Sequence, residues 1–129
     1  MTLQIRTEET RQIHVFEIEL FSAVDYQAID GDTAIEEPCL KGYERSFEKL
    51  AITIGYGFNK RIRKITSRNP ATSLFGISPG MSAEVGSRLA QKAGLIQDSP
   101  YRYRGKDITL SLLVDASDRV FGLTVEAID

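Results

Sequence analysis

Apolar and polar residues alternate along much of this chain, which is the pattern of β-strands that bury one face and expose the other. The alternation predicts six strands, over residues 12–20, 51–58, 62–68, 101–104, 108–114 and 120–128. A further hairpin is expected between residues 3–7 and the first of these strands. The last three strands form a three-stranded meander, because turn-forming residues separate them at Gly105-Lys106 and at residues 116–118.

The alternation also predicts which side chains face the core. The expected inward sets are Ile52, Ile54, Tyr56 and Phe58 in one strand, and Phe121, Leu123 and Val125 in the last. Ile62 and Ile65 are three residues apart, so in a regular strand their side chains would lie on opposite faces of the sheet. This predicts a β-bulge or a strong twist there. Gly55 and Gly57 indicate a bend or a close backbone contact in the strand before it.

One segment has the spacing of a helix. Its expected buried stripe is Val85, Leu89 and Ala93, which repeat every four residues. Ser82 is predicted to cap its N-terminus, and Gly94 is placed to end it. Gly86 costs the helix about 1 kcal/mol relative to Ala, so tertiary packing has to stabilise it.

The stretch between the first two clear strands has no dominant period. Ser22 would cap a short helix over residues 23–29, which Gly31 ends. Residues 30–38 then form an acidic loop. Residues 42–50 fit either a helical turn or an edge strand, and the sequence leaves both open.

Together these elements predict a single α+β domain over residues 1–129. It is expected to contain an antiparallel sheet, built from hairpins and the C-terminal meander, with one or two helices packed on one face. A length of 129 residues, with 42% hydrophobic and 26% charged residues, fits one globular core.

Cysteine content and hydropathy limit the possible settings of the protein. Cys39 is the single cysteine, which excludes an intramolecular disulfide. No apolar run reaches the length of a membrane span. The N-terminus lacks the layout of a signal peptide, so the sequence as written fits the cytoplasm and fits the periplasm if a leader was removed.

The net charge of −2 hides an uneven distribution. Residues 1–59 carry five basic and eleven acidic side chains, residues 60–106 carry ten and two, and residues 107–129 carry one and five. The middle segment therefore has a net charge of +8, between ends of −6 and −4. Two interpretations stay open: the ends fold against the middle and neutralise it, or the middle forms a functional basic face.

Candidate catalytic groups are few. His14 is the sole histidine and shares a predicted strand face with apolar residues, where a hydrogen-bonded core role is expected. His14 and Cys39 could form a base–nucleophile pair, as in a small enzyme. No nucleophile-elbow or protease signature surrounds Cys39, which favours an inert thiol.

A dense set of carboxylates raises the question of a calcium loop. The set is Asp25, Asp30, Asp32, Glu36 and Glu37. Aligning Gly31 with the central glycine of an EF-hand puts Tyr26 and Ala28 at two ligand positions, where their side chains cannot coordinate as required. A solvated acidic loop is therefore favoured, and we expect neither a metal nor a cofactor.

Basic residues mark the predicted binding surface. Arg61 and Arg63 lie on the hairpin 60–68, which is rich in Lys and Arg. Arg102 and Arg104 alternate with Tyr101 and Tyr103, so one face of that strand is arginine and the other is aromatic. Arginine and tyrosine are the usual energetic anchors of protein interfaces, so these six residues are the predicted partner-binding set.

A short motif adds a family resemblance. The sequence Phe75-Gly-Ile-Ser-Pro-Gly-Met-Ser-Ala-Glu-Val85, then a short helix and a three-stranded meander ending Asp115-x-x-x-Arg-Val-x-Gly-Leu123, resembles the β-lactamase-inhibitor-protein-like superfamily. This superfamily includes the small lipoprotein subunit of the outer-membrane β-barrel assembly machine. The similarity covers residues 75–128. It implies a role in binding other proteins through a concave sheet, and it carries over no catalytic residues.

We therefore expect a non-enzymatic, bacterial protein-binding module, either an inhibitor or immunity-type protein or an assembly accessory. Its partner is expected to be another protein. Two alternatives stay open: a small enzyme that uses Cys39 and His14, and a nucleic-acid binder that uses the basic hairpin 60–68. A pI near 5.5 disfavours nucleic acid as the partner.

Overall fold

β-Strands outnumber helices in the part of the chain that the structure describes. The computed structural model describes the backbone of residues 14–15 and all of residues 18–128. Its elements, in chain order, are β1 (His14–Val15), β2 (Ile18–Glu19), β3 (Ala28–Ile29), β4 (Asp32–Thr33), β5 (Ile35–Cys39), β6 (Gly42–Phe47), β7 (Ile52–Gly57), β8 (Ile62–Ser67), α1 (Ala83–Lys92), β9 (Ile96–Ser99), β10 (Arg102–Arg104), β11 (Ile108–Val114) and β12 (Val120–Ala127).

Eight of these strands form one antiparallel sheet, in the order β5-β6-β7-β8-β12-β11-β10-β9. The order consists of two meanders of four strands, which join where β8 pairs with β12. This joint aligns Ile65 with Val125 and Thr66 with Thr124. Two small hairpins, β1 with β2 and β3 with β4, lie outside the large sheet.

One face of the sheet carries the core and the other is polar. A row of opposed, fully buried residues crosses five strands: Ile54, Ile65, Val125, Leu110 and Tyr103. The neighbouring row on the opposite face consists of hydroxyl side chains: Ser46, Thr53, Thr66, Thr124 and Ser111. The hydroxyls of Thr66 and Thr124 are 3.0 Å apart, within hydrogen-bond distance. Strand alternation thus separates a buried face from a hydroxyl-rich face.

The helix α1 packs on the core face. Ser82 caps it as predicted, since its Oγ accepts from Val85 N at 3.2 Å, and Gly94 follows its end with a φ of +94°. Gly86 touches the sheet closely, because a Cβ there would lie 3.1 Å from Leu112 Cδ1. The absence of a side chain at Gly86 therefore lets the helix approach the sheet, which offsets its low helix propensity.

The buried face of α1 is shifted by about one residue from the predicted one. The buried helix residues are Ala83, Gly86 and Ala90, whereas Val85 is 37% exposed. Leu89 and Ala93 are half-buried and pack against the core. Small residues face the sheet because the helix lies close to it, and the larger side chains lie at the edge of the contact.

The two parts of the sequence motif meet in space. Gly80 N donates to Val120 O at 2.7 Å, and Val120 N donates to Met81 O at 2.9 Å. Arg119 Nη1 also donates to Gly80 O, at 2.7 Å. The segment before α1 is therefore bonded to the first residues of β12, which gives the motif a structural explanation within this chain.

The N-terminal predictions are largely wrong. Val15 pairs with Ile18, so the chain reverses within the single strand predicted over residues 12–20. The hairpin predicted for residues 3–7, and the first residues of the predicted strand, lie outside the described residues. The helix predicted over residues 23–29 is absent, because an extended segment and the hairpin β3–β4 occupy this part of the chain.

The predicted acidic loop over residues 30–38 is also wrong. Asp30 and Gly31 form a two-residue turn with φ values of +48° and +80°, which fits an Asp-Gly hairpin turn. The chain then continues into the edge strand β5. Of the two readings left open for residues 42–50, the strand is closer, although β6 lies between β5 and β7 rather than at the edge.

The C-terminal predictions are mostly confirmed, with two inward residues misassigned. The bulge between β7 and β8 is present as a register shift at Gly55 and Tyr56. A second shift, between β11 and β12, buries Val120 and leaves Phe121 42% exposed. Phe58 lies beyond the end of β7 and is 80% exposed. The strand β9 was not predicted, so the meander has four strands.

The fold class is confirmed at the coarser level. An antiparallel sheet with a helix on one face is present, and α1 is the one α-helix among the residues that the structure describes. The fold contains more sheet than the predicted α+β class.

Substitution of Gly42 tests the position of the β5–β6 hairpin. Gly42 has a φ of +150°, and a Cβ there would overlap the carbonyl oxygen of Tyr56. We expect Gly42→Ala to lower the free energy of unfolding by about 3 kcal/mol or more. The control Gly31→Ala, at a φ of +80° with no atom within 4 Å of the added Cβ, should cost about 1 kcal/mol. Equal losses in urea unfolding would contradict this geometry.

Candidate functional site

The turns of two hairpins project from the same end of the sheet. Because paired strands run antiparallel, the β5–β6 turn, the β7–β8 turn and the C-terminal end of β12 lie at one end. Leu40 in the first turn is 97% exposed, and Phe58 in the second is 80% exposed. Exposed apolar side chains are ordinary when they are scattered, but a cluster of them marks a candidate interaction site.

An open groove of about 390 Å³, called the tip groove below, involves both turns. It is lined by Phe21, Leu40, Lys41, Gly57, Phe58, Asn59, Arg61, Ile62, Arg63, Ala127 and Ile128. Segments from four separate parts of the chain therefore contribute to it. Its lining combines aliphatic, aromatic and arginine side chains, which is the composition favoured at protein interfaces.

Hydrogen bonds determine the shape of the tip groove. Phe21 N donates to Ile62 O at 2.7 Å, and Ile62 N donates to Ser22 O at 2.8 Å, so the residues after β2 are bonded to β8. Arg61 Nη1 donates to Phe21 O at 3.1 Å. Asn59 Oδ1 accepts from Arg61 N at 3.0 Å, which stabilises the predicted turn.

Arg63 and Lys64 are neutralised by the acidic parts of the chain. Arg63 Nη1 lies 2.8 Å from a carboxylate oxygen of Glu126, and Lys64 Nζ lies 3.2 Å from one of Glu44. The Arg63 side chain is only 15% exposed. The ends of the chain therefore do pair with the basic middle at these two positions. Arg61 and its neighbour Lys60 are exposed, so they are cations through which the hairpin can act on a partner.

Two glycines on β7 lie in close contact with side chains on the face away from the core. A Cβ at Gly55 would lie 3.2 Å from Lys64 Cβ on β8, and one at Gly57 would lie 3.0 Å from Asn59 Oδ1 in the β7–β8 turn. The close contact expected for these glycines is thus a contact with side chains of the neighbouring strand and of its turn.

The other four predicted binding residues lie elsewhere. Arg102 and Arg104 are exposed on β10, which β12 and β11 separate from β8. Tyr101 precedes that strand with a φ of +62° and is 37% exposed. Tyr103 is fully buried, and its hydroxyl contacts that of Ser87 on α1. Tyr103 therefore belongs to the core and is not accessible to a partner. The two basic groups do not form one surface.

A buried arginine pairs with carboxylates from two separate segments of the chain. The Arg45 guanidinium pairs with Asp25 and Glu36 and donates to Tyr26 O at 3.1 Å. It also lies 5.2 Å and 5.3 Å from the ring centres of Tyr43 and Tyr56, within the range of cation–π attraction. Asp25 and Glu36, two of the carboxylates that raised the question of a calcium loop, are thus paired with the side chain of Arg45.

Tyr56 connects residues 24–26 to the sheet. Its hydroxyl donates to Val24 O and accepts from Tyr26 N, each at 2.9 Å. Burial raises the pKa of the Tyr56 hydroxyl above its ordinary value. The hydrogen bond from Arg45 lowers the pKa of Asp25. These contacts hold residues 24–26 against β7 and thereby position Phe21 at the groove.

The structure does not test the proposed enzyme site. Cys39 is half-buried, and its Sγ lies 3.9 Å from Arg63 Nη2, whereas the side chain of His14 lies outside the described residues. Within residues 18–128, no group of three His, Cys, Asp or Glu side chains could hold a metal ion.

Comparisons with family models, curated proteins and solved structures found no match to this chain. The resemblance to the β-lactamase-inhibitor-protein-like superfamily therefore stays a prediction. The helix described here is too short to cross a membrane.

The Arg45–Asp25 pair predicts a specific pH dependence. Since the pKa of Asp25 is lowered from 3.8 in the folded state, the pair contributes stability above pH 3.8 and loses it as pH falls through the lowered value. Thermal unfolding of the wild type and of Asp25→Asn should differ by a constant amount from pH 7 to about 5. The difference should shrink at lower pH, and a difference that grows there would contradict the assignment.

Proposed function

We propose that this protein is a non-enzymatic binding module that docks onto another protein through the tip groove. The observation that carries the proposal is the exposure of Leu40 and Phe58 on adjacent turns beside Arg61. Apolar anchors next to an arginine are the usual composition of the energetically dominant part of an interface. Rigid hairpins that are fixed by hydrogen bonds also lose little conformational entropy on binding.

The charge around the tip groove supports an acidic partner surface. Arg61 and Lys60 are exposed at the turn, and Lys41 lines the groove from the other hairpin. Carboxylates on a partner would form charge-assisted hydrogen bonds with Arg61. An inhibitor or immunity-type protein and an assembly accessory are both consistent with such docking, and the family resemblance agrees with this class of role.

The exposed residues Tyr101, Arg102 and Arg104 form a separate basic surface in this proposal. The tip groove is preferred as the principal site because it adds large exposed apolar side chains to its cations. Nucleic acid is less well supported as a partner, since Arg63 and Lys64 are paired with carboxylates. An enzyme based on Cys39 and His14 stays an untested alternative, because the side chain of His14 lies outside the described residues.

Substitutions at the tip groove should weaken partner binding without loss of folding. A photo-cross-linking amino acid at position 58, introduced in cells that express the protein, would covalently capture the partner for identification. With the purified partner, Leu40→Ser, Phe58→Ser and Arg61→Glu are each expected to raise Kd by about 10-fold or more. Because these side chains are exposed, Tm should change by no more than a few degrees.

Two matched variants control for general surface effects. Ile35→Ser removes an apolar side chain that is 50% exposed at the far end of β5, and Arg88→Glu reverses a charge on α1. Both should leave Kd unchanged within about twofold. The proposal fails if these controls weaken binding as much as the tip variants do. Capture of nucleic acid, with an affinity that falls steeply as salt rises, would favour the alternative partner.

A further inference from the structure

The two edges of the large sheet differ in how they are protected. The edge strand β5 contains Pro38, which has no N–H to donate, and carries Glu36 and Glu37. Proline and charged residues of this kind are common devices against strand addition. The opposite edge strand, β9, has the sequence Ile-Gln-Asp-Ser and is followed by Pro100, so its second half carries such devices and its first two residues, Ile96 and Gln97, do not. All four of its residues are exposed.

An open pocket of about 430 Å³ adjoins β9. It is formed by Gly94 after α1, by Ile96 and Asp98 of β9, and by residues 104–106 at the β10–β11 turn. Ile96 is 72% exposed. A large exposed apolar side chain at the start of an edge strand, next to an open pocket, can accept an apolar side chain from an added strand.

Arginine side chains on the neighbouring strand β10 favour an added strand that carries acidic side chains. Arg104 is exposed, lies opposite Ile96 in the register of β9 and β10, and makes no ion pair with another described residue. Arg102 lies 3.9 Å from Asp98, and the arginine side chain is 54% exposed. A strand added beyond β9 would lie two strand spacings from β10, roughly 10 Å, which extended arginine and glutamate side chains can span together.

We propose that β9 accepts an extended acidic segment of another protein as a ninth strand. The register shift between β9 and β10 falls beyond Ile96 and Gln97. Of these two residues, the one whose N–H and C=O point away from β10 would provide the main-chain hydrogen bonds to the added strand. An apolar side chain of the segment occupies the pocket beside Ile96, and its carboxylates pair with Arg104 and Arg102. This inference uses a different surface from the tip groove and does not rest on the function proposed for it.

Titration with designed peptides tests the inference. The probe is the capped six-residue peptide Thr-Glu-Thr-Val-Thr-Glu, whose valine and glutamates share one strand face, as Ile96 and Arg104 do. It is added at millimolar concentration to the ¹⁵N-labelled full chain. We expect saturable NMR shifts at the amides of β9 and β10, and slower hydrogen exchange in β9. A matched lysine–valine peptide should bind at least fivefold more weakly because of Arg104. An N-methylated glutamate–valine peptide should also bind at least fivefold more weakly, because it lacks main-chain donors.

Variants of both edges complete the experiment. Ile96→Lys and Arg104→Glu should each weaken binding of the glutamate–valine peptide at least fivefold, whereas Ile35→Lys on β5 should not change it. The absence of saturable shifts, equal binding of the N-methylated peptide, or shifts confined to β5 or to the tip groove would each overturn the proposal. Concentration-dependent protection of β9 without peptide would assign the edge to a second copy of the chain instead.

Discussion

The pairing of β8 with β12 is the constraint on which the rest of this structure depends. It joins two meanders that are each local in sequence, and it makes their apolar rows one continuous core through Ile65 and Val125. Without it, each meander would expose an unprotected edge strand in the middle of the molecule. The same pairing brings the end of β12 beside the β7–β8 turn, so Ala127 and Ile128 line the tip groove. The pairing of β8 with β12 therefore both completes the core and positions part of the candidate site.

This pairing also explains the distribution of charge. Glu126 reaches Arg63 because β12 lies next to β8, although the two residues are 63 positions apart in the chain. The charge of Lys64 on β8 is similarly neutralised by Glu44 on β6, which reaches it across β7. The basic middle segment of the sequence is therefore partly neutral in the folded protein, and its exposed cations include Lys60 and Arg61 at the β7–β8 turn and Arg102 and Arg104 on β10. What distinguishes the tip groove is the combination of such cations with the exposed side chains of Leu40 and Phe58.

Alternation of residues predicted the regular strands well, because burial of one face imposes a period of two. The bounds of β11, the bulge at β8 and the cap at Ser82 were all predictable from local pattern. Phe121 was misassigned because the register between β11 and β12 shifts at this point, so the regular alternation of inward and outward side chains is interrupted. The shift depends on the partner strand and cannot be read from local sequence. The strand β9 is exposed throughout and has no such pattern. For the site, Arg61 and Arg63 were predicted from charge, but Leu40 follows Pro38 in a turn and gave no signal. The Asp30-Gly31 pair was an available hairpin signal that the helix interpretation overlooked.

A disulfide across the central joint tests the account most directly. Thr66 and Thr124 are opposed in the register, with their hydroxyls 3.0 Å apart, and opposed residues in antiparallel strands have Cα separations of about 4.5–5.5 Å that suit a disulfide. In a Cys39→Ser background, Thr66→Cys with Thr124→Cys should oxidise fully in air, as measured by mass spectrometry, and should raise Tm. Thr66→Cys with Ser111→Cys, one strand further away, should remain reduced. Failure of the first pair to close, or equal closure of both pairs, would contradict the joint between the two meanders and the groove that it builds.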